Sequence, residues 1–541
     1  MFKKKTIVSG AIVSGAVALV AAFIVSLVGS LIGSPPDGAR WWSYVEFLAS
    51  DKLEGRNTGS VGHRKAAEYV AAEFERDGFK PAGVEGYIQP VKFKTLQLDE
   101  SQCTLALVRS GVEKRITLGE EAMIGARVDP APSVEAKLVF VGYGLRAPEI
   151  GYDDFTGLDG KGKIAVYLAG APSNLSGSLA AHYQSAAERW KTLKAAGIIG
   201  AISLANPKHM DIPWSRQAAN RTQATIALAA PGTNESEGEK ITITWNPAHA
   251  DELLAGTGHS FDELLALADS GKPLPHFDIP ASIKAKTAVI RGEVVSQNIA
   301  AIYPGSDPTL KNEYVVMSAH IDHLGVGKPI NGHAIFNGAM DNAAGVATLL
   351  DIAAHLKETN AKPRRSILFV AVTGEEKGLL GSQYFAAHPT VPARSIVADI
   401  NVDEFLPLFP LKILTVYGLD ESTLGDDIRA VARQTGVSVE PDPEPARNVF
   451  IRSDQYNFVR HGIPSLMPAF GTVKGSPEEA TLRKWNTERY HAVSDDLNQP
   501  VDKPAAGEFN QLIARLVERV ANADAKPAWK PNSFFRRFVT N

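Results

Sequence analysis

Three stretches in the second half of the chain, EYVVMSAH (313–320), SILFVAVTG (366–374) and RSIVADINVDEF (394–405), are near-continuous apolar runs. That pattern marks strands buried on both faces. Between and after them lie AAGVATLLDIAAHLKE (343–358) and TLGDDIRAVARQTG (423–436), whose apolar positions recur at helical spacing. Alternating strands and helices predict an α/β fold with a mostly parallel central sheet, whose binding sites lie outside the carboxyl ends of the strands. Upstream, RKAAEYVAAEFERDGF (64–79) carries Ala67, Val70, Ala71 and Phe74 on one helical face, with Gly78 where a cap is expected. GYIQPVKFKTLQL (86–98) alternates like a half-exposed strand.

Texture shifts near Gly125. From there to about Arg291 short apolar segments, AKLVFVGYGL, GKIAVYLAG and IGAISLA, are separated by Gly, Pro and Ser and joined by one clear helix, SAAERWKTLKAAG. This predicts a small β-rich module inserted into a larger domain. At the N-terminus, Lys3 to Lys5 precede an apolar run without charge until Asp37, long enough to span a bilayer and longer than an ordinary signal-peptide core. Residues 1–36 are therefore expected to be a transmembrane signal anchor, with a cleaved signal peptide as the competitor, and the rest of the chain to lie outside the cytoplasm.

Composition narrows the function. At 541 residues the chain exceeds one hydrophobic core, and 44% hydrophobic with 21% charged residues describes an ordinary globular protein. A formal net charge of -4 leaves no basic footprint, so no nucleic-acid partner is expected. The lone Cys103 allows neither an internal disulfide nor a thiolate metal cluster.

The chemistry gathers at the ends of the buried strands. The first ends in His320 followed by Asp322, the second in Glu375 and Glu376, and the third reaches Asp403; Asp341 stands in a loop entering a helix and His491 near the end of the domain. Histidine nitrogens with several carboxylates and no sulfur suit zinc, and one carboxylate between two ions makes a hydrolytic clamp. Asp341 is the natural bridge, and Asp322 is placed to orient His320. Adjacent side chains of an extended segment point opposite ways, so of Glu375 and Glu376 one can bind metal while the other acts as general base.

MSAHIDHLGVG, NGAMDNAAGVATLL, FVAVTGEEKGLLGSQYF, INVDEF, RSDQYNFVRHGIPSL and RYHAVSDD resemble, in order and spacing, the co-catalytic di-zinc aminopeptidases that include bacterial leucyl aminopeptidases and glutamate carboxypeptidase II. The resemblance extends to LASDKLEGRNTGSVGHRKAAEYVAAEF, and the inserted segment looks like a protease-associated domain. It implies a phosphorylase/hydrolase-like sandwich formed by 38–124 and 292–525, an inserted module at 125–291 and a tail at 526–541. It also implies one Zn2+ held by His320, Asp341 and Asp403 and a second by Asp341, Glu376 and His491. Glu375 would be the general base for a hydroxide shared between the ions, Asp322 the partner of His320, and Tyr490 an oxyanion-stabilising phenol. The expected substrate is a peptide with a free N-terminus. Alternatives within the superfamily are a carboxypeptidase, a glutaminyl cyclase, and a non-catalytic homologue of the transferrin-receptor kind. One departure is Gln455, where many members carry histidine after Ser453 and Asp454; no role is assigned to Asp454 or to the tail, and oligomeric state is not legible.

Overall fold

A computed structural model of the chain describes residues 37–539, apart from 176, 211, 331 and 448. The expected anchor or signal at 1–36 lies outside the described residues. Among those described, no helix is long and apolar enough to cross a membrane.

A central sheet organises the larger body. Nine of its ten strands, in chain order, are β1 (Ile88–Leu98), β2 (Thr225–Leu228), β3 (Val289–Tyr303), β4 (Tyr314–His320), β5 (Ser366–Val372), β6 (Ile396–Asn401), β7 (Ile413–Tyr417), β8 (Ser438–Glu440) and β9 (Ser465–Phe470); the tenth, the two residues Lys80–Pro81, pairs antiparallel with β3. The nine lie in the spatial order β2-β1-β3-β5-β4-β6-β9-β7-β8. The expectation of a mostly parallel sheet needs correction. Strands β5, β4, β6 and β9 run parallel, as do β7 and β8, whereas β2, β1 and β3 join antiparallel to one another and to β5, and β7 joins antiparallel to β9. The reason is topological. β1 pairs along its whole length with β3, from Ile88 opposite Ile299 to Leu98 opposite Val289, and an antiparallel pair needs no helical crossover.

Why the middle strands read as unbroken apolar runs is visible in their faces. Along β5, Ile367, Phe369 and Ala371 join one core and Leu368, Val370 and Val372 another. Successive side chains point to opposite sides of the pleat, so a strand covered on both faces must be apolar throughout. The first face is covered by α1 (Ala39–Leu48), α2 (Val61–Arg76), α3 (Ala344–Glu358) and α7 (Lys503–Asn522). The second is covered by α4 (Leu380–Ala387) and α5 (Gln455–Arg460), through Phe385 and Phe458. The helix expected at 423–436 forms over Leu424–Thr435 and packs on the first face, and α6 (Pro477–Glu488) precedes the His491 loop. Helix α2 begins three residues before the apolar pattern suggested, because the Ser60 hydroxyl accepts from His63 N at 3.1 Å and caps the first turn.

A second, eight-stranded sheet is built on its own core. Its strands include Thr104–Arg109, Val112–Arg115 and Ala122–Ile124 as well as segments from Ser133 to Lys286, so it starts ahead of residue 125. The composition shift at Gly125 marks no boundary because Thr104–Arg109 and His276–Lys286 are neighbouring strands of that sheet. Nor is the inserted segment self-contained: β2 leaves it to pair with β1 at the edge of the central sheet, Thr225 opposite Leu96. The C-terminal tail packs on the body, with Phe535 fully buried beside Trp529, Phe450 and Tyr456.

Candidate metal centre

Parallel pairing of β5, β4 and β6 brings three strand ends to one edge of the sheet. His320 closes β4, Glu375 and Glu376 follow β5 after Thr373 and Gly374, and Asp403 follows β6 by two residues. Asp341 lies in the kinked turn 339–343 leading into α3, where the Asp341–Asn342 peptide bond is cis. His491 sits beyond α6 on a loop with left-handed backbone, φ 52°.

Their side chains meet around Asp341. His320 Nε2 lies 3.2 Å from Asp341 Oδ1 and 3.2 Å from Asp403 Oδ1. His491 Nε2 lies 3.2 Å from the other Asp341 oxygen, Oδ2, and 3.1 Å from Glu376 Oε2. Asp341 thus divides its two oxygens between two groups of donors, His320 with Asp403 and His491 with Glu376. Glu375 stands beside the first group, its Oε2 4.0 Å from His320 Nε2. All five expected ligands and Glu375 are therefore brought together. The ring of Tyr490 lies against that of His491, centroids 4.1 Å apart and planes tilted by 33°.

Asp322 differs from expectation. His320 Nδ1 meets the backbone carbonyl of Asp322 at 3.0 Å, while the carboxylate is 4.0 Å away. That carboxylate instead accepts from the Thr58 hydroxyl at 2.7 Å and from Glu375 N at 3.1 Å. Asp322 therefore aims Glu375 through its backbone as much as it orients His320.

Several supporting groups were not singled out from the sequence. Asp495, in the SDD of RYHAVSDD, is fully buried and accepts from Met340 N at 3.0 Å and Asp341 N at 3.1 Å, fixing the turn that presents Asp341. The Ser453 hydroxyl donates to Asp403 Oδ2 at 2.6 Å. Arg56, in LEGRNTG, is 1% exposed and its guanidinium donates to the carbonyls of Leu48, Ile321, Asn337 and Gly338, tying the N-terminal segment to the strand end at 321 and to the loop before Asp341. His323, three residues past His320, is fully buried with Nδ1 2.6 Å from Glu376 Oε1. The only sequence signal for it was the second histidine of HIDH. Asp454 is also fully buried beside the site, and burial pushes its carboxyl up to about 7 against the pull of His320.

Electrostatically the site calls for cations. Burial opposes charge on His320 and His491, yet Asp403 and Glu375 beside the first and Glu376 and Asp341 beside the second outweigh it and raise both imidazoles well above their ordinary range. Burial pushes Glu375 well up, against the attraction of His320. Asp341 Oδ2, Glu376 Oε1 and both ring nitrogens of His323 are buried without a hydrogen-bond partner among the described residues. Such groups are costly to leave uncompensated, and a pair of divalent ions between them satisfies these donors. The nitrogen and oxygen donor set fits zinc.

Residues 298–517 match the model described as peptidase family M28. Carboxypeptidase Q of Bos taurus is 23% identical over 371 residues, covering 66% of this chain and 64% of its own length. Leucine aminopeptidase 1 of Trichophyton equinum is 32% identical over 123 residues, covering 22% of this chain and 31% of its own. The chain thus spans less than two thirds of the length of each of these curated relatives. Among solved structures, an aminopeptidase from Aneurinibacillus sp. strain AM-1 shares the fold with a TM-score of 0.54 at 20% identity, covering 92% of this chain and 95% of that one.

Proposed function

We propose that the chain, which belongs to peptidase family M28 through residues 298–517, is a zinc-dependent exopeptidase that removes residues from the N-terminus of peptides. The observation that carries this reading is the division of the two Asp341 oxygens between His320 with Asp403 and His491 with Glu376, beside the unligated Glu375. His320, Asp341 and Asp403 would hold one zinc, and Asp341, Glu376 and His491 the other. When bound, the pair supplies Lewis-acid polarisation of a carbonyl and a water of lowered pKa.

The chain's own groups do the rest. Asp322 accepts from Glu375 N and so fixes the backbone from which that carboxylate reaches toward the metal ligands. Glu375 takes the proton of the attacking water and passes it to the leaving amine. Asp495 and Ser453 hold Asp341 and Asp403 in register. Tyr490, packed against His491, is the candidate phenol for the oxyanion of the tetrahedral intermediate. Cleavage from the N-terminal end is supported by the free acceptors around the ligands. Glu404 Oε1 and both Asp454 carboxyl oxygens are buried nearby without hydrogen-bond partners among the described residues, and a substrate ammonium, which carries three donors, can satisfy them whereas a terminal carboxylate, which carries none, cannot.

In the same reading the second sheet is a protease-associated module that narrows access. Arg216, on one of its helices, donates to Tyr490 O at 2.6 Å and Thr487 O at 3.0 Å and so braces the loop carrying His491. An extracytoplasmic location, carried by the apolar run of residues 6–33, belongs to the proposal. A C-terminal specificity, as the name of carboxypeptidase Q suggests, would draw on Arg452, whose charge reaches Glu404 and Tyr490.

Peptide hydrolysis by the zinc-loaded chain should vanish with a chelator and return with zinc. Glu375→Gln should bind the same amount of zinc and lose turnover by about 10²–10⁴-fold, the usual contribution of a positioned general base. Undiminished turnover in that variant would remove the mechanism.

A further inference from the structure

We infer that Gln455, the position at which the chain departs from the histidine of its family, is a positioning residue for the metal ligand Asp403 and acts on it through Asn401 and Ser453. The inference rests on the two-zinc reading above for the role of Asp403 and adds residues that the resemblance does not assign.

A row of hydrogen bonds with one fixed direction carries it. Gln455 opens α5 and is fully buried, and its Nε2 donates to Phe450 O at 2.8 Å. A backbone carbonyl only accepts, so this bond settles which end of the Gln455 amide is the donor and leaves Oε1 to accept. Oε1 receives Asn401 Nδ2 at 2.7 Å, from a side chain that closes β6 and is also fully buried. The same Nδ2 donates to Ser453 Oγ at 2.8 Å. Asn401 is held from its other end, where Oδ1 lies 3.1 Å from the hydroxyl of Ser318, its neighbour across the pairing of β4 with β6. The Ser453 oxygen thus accepts from Asn401, and its single proton goes to Asp403 Oδ2 at 2.6 Å.

That last bond is short and charge-assisted, and it occupies one carboxylate oxygen. The other, Oδ1, stands 3.2 Å from His320 Nε2 and is left for the ion. Without an acceptor at 455, the Asn401 amide is free to turn and present its oxygen to Ser453. The hydroxyl proton would then go to Asn401, and Asp403 would lose the bond that sets its orientation. Gln455 therefore sets the direction of the row while touching neither metal nor substrate.

The experiment is a competition titration of zinc into the metal-free full-length chain against a chromophoric chelator, with thermal melting to verify folding. It compares the unsubstituted protein with Gln455→Met, Ser453→Ala, the double variant and Gln455→His. The unsubstituted chain should bind two zincs. Gln455→Met should weaken one of them by about 10-fold, the low end of what loss of an outer partner costs, and leave the other unchanged. In the Ser453→Ala background the same substitution should cost nothing further, since its route to Asp403 is already cut. Gln455→His, whose ring offers one donor and one acceptor nitrogen, should restore the affinity. Unchanged affinity in Gln455→Met, equal weakening of both zincs, a loss that adds to that of Ser453→Ala, or no restoration by histidine would each overturn the inference. Asn401→Ala, which cuts the row one residue nearer to Asp403, keeps the test decisive if Gln455→Met does not fold: it should weaken the same single zinc, and full affinity would overturn the inference. An unsubstituted chain that binds no zinc would overturn the two-zinc reading itself, whereas two bound zincs insensitive to these variants would overturn this inference alone.

Discussion

Replacing Arg56 with Met should destabilise the molecule more than any exposed substitution, although Arg56 touches neither substrate nor metal. Its guanidinium is buried, makes no ion pair among the described residues, and donates to four backbone carbonyls, among them Ile321 O at 2.9 Å, Asn337 O at 2.7 Å and Gly338 O at 3.0 Å. Burial lowers its pKa only to about 10, because Asp495, Asp341, Asp322 and Glu376 pull the other way, so it stays charged at neutral pH. Methionine fills much of the volume but leaves the four acceptors without a donor. At about 1 kcal/mol net for each lost hydrogen bond, the cost is about 4 kcal/mol. At about 2–4 °C per kcal/mol, the melting temperature of the body built on the central sheet should fall by about 8–16 °C. Arg56→Lys keeps the charge but not the planar fork, and should fall between the two. Calorimetry of the three proteins, metal-free and zinc-loaded, is the assay. The loss should persist without metal, because the four carbonyls are there in either state. A metal-free Arg56→Met protein melting within about 2 °C of the unsubstituted one would refute the idea that this side chain joins the N-terminal segment to the metal loops.

Two further outcomes are expected. Asp495→Asn, which sets an amide group among the N–H donors of Met340 and Asp341, should leave the fold intact and weaken zinc binding by about 10–100-fold in a calorimetric titration, and unchanged affinity would dissociate Asp495 from the Asp341 turn. Asp154, in the second sheet's loop and 8% exposed, is raised to about 6 by burial despite its bonds from Tyr152 and Leu145. Its folded pKa lies above its unfolded value near 3.8, so its stabilisation is complete below about pH 4 and is lost as pH rises through 6, by up to about 3 kcal/mol. Asp154→Asn should flatten that part of the stability profile between pH 4 and 7, and an unchanged slope would count against it.

What the sequence made legible follows from the physics of its strands. The runs ending at His320, Val372 and Asn401 had to be apolar on both faces, so their positions and the shared edge carrying His320, Glu375, Glu376 and Asp403 could be read directly. The antiparallel half of the sheet could not, since β1 alternates like any half-exposed strand and its partner β3 lies far along the chain. β2 was hidden for the same reason, a four-residue edge strand inside the inserted segment. At the site, residues that bind through side chains at strand ends were recognisable. Arg56, Asp495 and Ser453 were not, because their work is done against backbone groups and carboxylates that only the folded chain brings near. His323 stood in plain view next to His320, but nothing in the spacing says that its ring turns toward Glu376.

The central claim, hydrolysis at the N-terminal end of a peptide, is tested most directly with one zinc-loaded protein and one peptide in two forms, free and acetylated at the N-terminus. The account predicts release of the first residue from the free peptide and no cleavage of the acetylated one. Equal cleavage of both, or cleavage of neither with zinc demonstrably bound, would contradict it.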